Sequence, residues 1–124
     1  MCITTIKKMK NLITIILLFT VSFLHSQDKE PTFKAEGNLV KATYYFEDGT
    51  VSTQGYFLDK ELTGEWTRFD HKGNKTQIAY YDQGKKVGKW FVWGENSLKE
   101  INYSNNTVVN VNLWKHESKL TASK

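Results

Sequence analysis

The chain has 124 residues, with 17 Lys and Arg against 13 Asp and Glu, a formal charge of +4, and its length fits one small domain. The basic excess would suit a polyanion partner, yet Lys7, Lys8 and Lys10 precede every acidic residue, and beyond residue 26 the balance is 14 against 13. A nucleic-acid-binding domain keeps its surplus of Lys and Arg, so that class is set aside; the sole cysteine, Cys2, lies in the same early stretch, which removes disulfides, thiolate metal sites and cysteine nucleophiles from the remainder.

Residues 9–26 have the three parts of an export signal: a basic start at Lys10, a mostly apolar run from Leu12 to Leu24, and small Ser26. The run is short for a transmembrane anchor, which needs about 20 apolar residues. Met9 fits the true start, with residues 1–8 as an upstream extension. Gln27 stands where a lipoprotein signal would place its cysteine. The expectation is a signal-peptide helix within 1–26, cut near Ser26–Gln27, and a product that is periplasmic or secreted. A polar linker over 27–39 and a polar tail over 115–124 are expected to be loosely ordered.

Between them, over 40–114, the sequence repeats. Trp66, Trp90 and Trp114 are spaced by 24 and 24; Gly64 and Gly88 precede the first two by two residues. Tyr45, Phe69 and Trp93 follow the same period, as do Gly49 and Gly73, and Tyr56-Phe57 recurs as Tyr80-Tyr81. A half copy comes first, with Val40, Ala42 and Tyr45 at the Gly, Trp and aromatic positions. The third copy decays: Ile101-Asn102-Tyr103 matches Ile78-Ala79-Tyr80 at a spacing of 23, and Asn112 replaces the glycine. Atypical end copies are expected of a repeat stack, whose terminal units have one open side.

Each unit reads as two short strands and two turns. Val51–Leu58 and Leu62–Phe69 are rich in β-branched and aromatic residues. Asp48-Gly49, His71-Lys72-Gly73 and Asp82-Gln83-Gly84 supply glycine where positive φ is needed. Gly94-Glu95-Asn96 and Ser104-Asn105-Asn106 continue the punctuation. This predicts about seven strands in an antiparallel meander, with no helical stripe after the export segment.

The units Tyr45…Gly49…Tyr56-Phe57…Gly64-Glu65-Trp66…Phe69 and Phe69…Gly73…Tyr80-Tyr81…Gly88-Lys89-Trp90…Trp93 resemble variant MORN repeats of the YwqK-like type. The resemblance spans about residues 40–114. It implies an all-β, single-layer antiparallel sheet of successive β-hairpins and a role in binding or assembly rather than catalysis. Some members of the broader family associate with membranes, and some bacterial YwqK-like chains are antitoxin-like.

A one-layer sheet must bury its apolar surface by stacking rings between neighbouring hairpins, worth roughly 0.2–1 kcal/mol per cross-strand pair. Trp66 and Trp90 are expected at equivalent places, each ring packed over the space left by a strand glycine, with Gly64 and Gly88 assigned to that purpose. Trp66 and Phe69, three apart, face opposite ways unless a bulge intervenes. Tyr81, Trp90 and Trp93 are the candidates for an exposed row that binds a protein, peptide or glycan ring. Lys85, Lys86 and Lys89 are the candidates for contact with phospholipid head groups. The Asn-rich last strand, Asn106–Asn112 with Val108, Val109 and Val111, is the stickier sheet edge and offers a route to a homodimer.

Nothing in the pattern assembles an active site. His71 falls in a predicted turn and His116 near the tail, at spacings that suit neither a metal nor a triad. Asp48, Asp59, Asp70 and Asp82 lie at turns, where carboxylates hydrogen-bond the backbone, and no phosphate-binding glycine loop occurs. The sequence therefore points to an exported, non-enzymatic module without a cofactor, binding a protein, with membrane-surface binding or an antitoxin-like role as alternatives.

Overall fold

The structure, a computed structural model, describes residues 29–115; the expected export signal and tail, with Cys2, His25 and His116, lie outside them. Nine strands follow one another: β1 (Thr32–Glu36), β2 (Leu39–Tyr45), β3 (Val51–Leu58), β4 (Glu61–Phe69), β5 (Lys75–Asp82), β6 (Lys85–Lys86), β7 (Gly88–Trp93), β8 (Ser97–Ser104) and β9 (Thr107–Lys115). They form a single open antiparallel sheet in the order β1-β2-β3-β4-β5-β7-β8-β9, with the short β6 also paired to β5. No helix occurs among the described residues.

The count exceeds the expected seven for two reasons. Residues 32–36, inside the stretch read as a polar linker, pair with β2 as an edge strand. The last hairpin arm of the second unit is divided at Val87 into β6 and β7.

Two kinds of turn alternate. Asp59-Lys60 (φ 48° and 67°), Gln83-Gly84 (46° and 75°) and Asn105-Asn106 (50° and 67°) are two-residue loops with both residues left-handed. That is the hairpin turn whose twist matches the strands it joins. At the other sheet end, Phe46 N–H donates to the Thr50 carbonyl at 2.8 Å and Asp70 N–H to that of Asn74 at 2.8 Å. Gly49 and Gly73, both at φ 84°, close these loops.

Pairing sorts the side chains onto two faces, since residues directly opposite each other share a face. One face carries an unbroken row of rings: Phe33–Tyr44, Tyr44–Trp66, Phe57–Trp66, Trp66–Tyr81, Tyr81–Trp90 and Trp90–Tyr103, with centroids 4.8–6.5 Å apart. Trp66 and Trp90, 8% and 6% exposed, form the core with Ala42 and Ala79. The other face is largely polar, with Thr43, Gln54, Thr67, Glu65 and Tyr80 in adjacent registers.

Trp66 and Trp90 are equivalent in detail. The Trp66 indole N–H donates to the Tyr56 carbonyl at 3.0 Å, and that of Trp90 to the Tyr80 carbonyl at 3.1 Å. In both units the register slips ahead of the tryptophan: Gln54 and Tyr56 pair with Thr67 and Thr63. The slip leaves Gly64 and Gly88 at φ 63° and 68°, which only glycine adopts at little cost.

The glycine assignment is therefore corrected. Gly64 has open space where a Cβ would stand, whereas a Cβ at Gly55 would overlap the Trp66 indole. Gly55 carries the ring, and Gly64 and Gly88 shape the bulge. Ala79 takes the place of Gly55 one unit later.

Trp114 is also corrected. It pairs with Leu98, which pairs with Trp93, so it lies on the face opposite Trp90, whose partner Ile101 pairs with Val111. Tyr103 opposes Gly88 as Tyr81 opposes Gly64, an offset of 22 residues rather than 23. The third unit is shorter because its loop closes from Gly94 to Ser97 and its strands lack the irregularity present at Phe69. With that shortening, Val111 stands opposite Ile101 where Trp90 falls opposite Ala79, 21 residues on instead of 24, because the bulge in β9 also holds one extra residue where that in β4 holds two. An odd offset of three sets Trp114 on the other face.

Candidate functional site

The candidate residues do not converge on one surface. Tyr81 and Trp90 belong to the ring row, Trp90 buried and Tyr81 half-buried between the two tryptophans. Trp93 stands on the opposite face, 38% exposed, stacked on Phe91 at 6.1 Å. The lysines separate too. Lys86 leans over the Trp90 and Tyr103 rings at 5.2 and 5.4 Å, a cation–π geometry that also shields the rings. Lys89 pairs on the other face with Glu100 at 3.3 Å. Lys85 sits opposite Asp82. The three make no common basic patch.

The structure instead builds a slot at the end of the sheet, on the face of Trp93. β7, β8 and β9 bring Trp93, Leu98 and Trp114 into one transverse row. Trp93 and Trp114 flank Leu98 above a concavity of about 420 Å³, with Gly94, Glu95 and Asn96 at one rim and Lys115 at the other. With strands roughly 4.8 Å apart, the two indoles rise about 10 Å from each other, enough to admit a side chain or flat group between them. Trp114 is 49% exposed. Glu95 and Lys115 give the rim both signs of charge. Sequence reasoning found Trp93 but not its neighbours, because Leu98 and Trp114 follow no common period with it; only strand register joins them.

Elsewhere the polar groups serve the sheet. Asp48 accepts from the Thr50 hydroxyl and backbone N–H at 2.6 and 2.9 Å, which holds its carboxyl below the ordinary value of 3.8. Asp70 accepts from the Lys72 and Asn74 backbone N–H groups, both at 2.9 Å, and is lowered chiefly by Asn74. His71 stacks on Phe46 at 3.9 Å and places Nδ1 3.3 Å from Asp48, tying neighbouring loops together. The Tyr80 phenol donates to Glu65 at 3.1 Å; its pKa is raised by desolvation and by that carboxylate. Glu100, 8% exposed, is met by Lys89 and by the Asn102 amide at 3.3 Å. Among the described residues no group of three or more His, Cys, Asp or Glu is placed to hold a metal. Comparison with protein-family models, with curated proteins and with solved structures finds no match for this chain.

Proposed function

We propose that the chain is an exported, non-catalytic β-repeat module of YwqK-like MORN type that acts by binding another protein, with the Trp93–Leu98–Trp114 slot as its contact surface. One contrast carries this reading. The sheet buries Trp66 and Trp90 to 8% and 6% but holds Trp93 and Trp114 out at 38% and 49%. Paired tryptophans around an apolar floor with a polar rim are what a protein partner's anchor side chain fits. A membrane-surface role has less support, because Lys86 and Lys89 point from opposite faces and Lys89 is already paired.

The test is cross-linking and affinity capture in the native cell envelope, comparing wild type with Trp93→Ala and Trp114→Ala. Both variants are expected to keep the sheet's circular dichroism and lose the captured partner. Capture undiminished in both would remove the slot from consideration. The intact mass of the captured chain reads whether residues 1–26 have been cut.

A further inference from the structure

The two edges of the sheet are treated differently by the sequence. β1 is five residues long, follows Pro31 and carries Lys34 and Glu36. Shortness, proline and charge are the devices that keep an edge from pairing with another chain. β9 is neither short nor proline-bearing, and a bulge at Val109 interrupts its pairing with β8 only once. It runs for nine residues, Thr107–Lys115, with no charge before Lys115, and exposes Val108, Val109, Val111, Leu113 and Trp114 at 49–66%.

Its sequence is also symmetric. Around Val111 the strand reads Val109-Asn110-Val111-Asn112-Leu113, and Val111 is the midpoint of Thr107–Lys115. An antiparallel copy related by a two-fold axis through Val111 and normal to the sheet sets Val111 against Val111, Asn110 against Asn112, and Val109 against Leu113. Apolar meets apolar, amide meets amide, and no like charges oppose. Over Asn110–Asn112 the axis also keeps each face continuous across the junction, so Val111, which extends the ring-bearing face through Ile101, continues it into the second copy. Asn110 already donates to Asn112 along the strand at 3.3 Å, and pairing would extend this amide row. Residues from an unrelated strand would have to match this alternation; a second copy matches it by construction.

We infer that β9 pairs with β9 of a second copy of this chain, joining two nine-stranded sheets into one. This goes beyond the protein-binding role and leaves the slot's partner undetermined.

The test is sedimentation of the full chain as purified, wild type against Val111→Lys. Val111 is half exposed, so the fold should survive, while the substitution sets two lysines opposite each other at the axis. Wild type is expected to sediment as a dimer, and the variant to dissociate at least about tenfold more readily. Hydrogen exchange gives a second readout: the outward-facing β9 amides should be protected in wild type and exposed in the variant. A wild-type monomer, a dimer that Val111→Lys leaves intact, or β9 protection only when a different protein is added would each overturn the pairing. A monomer that still captures a partner through Trp93 would leave the slot standing while removing the dimer.

Discussion

Gly55 and Gly64 show why a glycine's neighbours matter more than its distance from a motif. Gly55 lies in extended backbone beneath the Trp66 ring; Gly64 is left-handed and beside empty space. Gly55→Ala must displace the indole from its seat and from the Tyr56 carbonyl. It is expected to cost about 3 kcal/mol, combining overpacking with a lost hydrogen bond. Gly64→Ala costs only the left-handed backbone, about 1 kcal/mol. Urea unfolding followed by tryptophan fluorescence orders the two; equal losses would contradict the ring-over-Gly55 packing. The 24-residue spacing points to Gly64, two residues before Trp66, and gives no sign of Gly55. Register, which places Gly55 under the ring, depends on a bulge that no local pattern announces.

At the scale of the element, hairpins were more legible than edges. Val51–Leu58 appears as expected, the second arm begins one residue early at Glu61, and Gly49, Gly73 and Gly84 have the positive φ their turns require. These features arise from local chemistry, alternation and turn preference. β1 escaped because every residue of it is exposed; it has little apolar signal, and its order comes from pairing with β2. The loops at Asp48 and Asp70 carry a pH dependence. Both carboxylates are lowered by hydrogen bonds present only in the fold, so the unfolded chain binds protons more readily. Their stabilisation is complete above the ordinary value of 3.8 and is lost as pH falls through the lowered values. Asp70→Asn is expected to flatten the acid limb of the melting temperature measured from pH 5 down to about 2. An unchanged limb would mean the Asn74 and Lys72 contacts do not persist in solution.

For the whole molecule, a one-layer sheet is only as cohesive as the contacts between successive strands, much as in other repeat stacks. Trp66 and Trp90 flank β5 on the ring-bearing face, and both indole bonds close within the central strands β3–β7. Amide exchange is expected to be slowest in β4 and β5 and fastest in β1, measured by mass spectrometry on the intact chain. Uniform protection from β1 to β9 would indicate that the rings do not concentrate stability at the centre. The single-sheet architecture was legible because the repeat left no helix to cover it. The location of the slot was not, because β9 runs three residues out of step with the 24-residue spacing, and that odd offset turns Trp114 to the face of Trp93.

The recurring indole bond has a consequence for growth of the protein. Trp66 and Trp90 each fasten to a carbonyl ten residues earlier, so one 24-residue segment contains a complete fastening and borrows none from its neighbours. Inserting such a segment would widen the ribbon by two strands, about 10 Å, without disturbing those on either side. An insertion falling inside one of those ten-residue stretches would separate an indole from its carbonyl. Width is thus available in whole steps, a ruler graduated by tryptophan, and the short third unit with its exposed pair marks where the graduations stop.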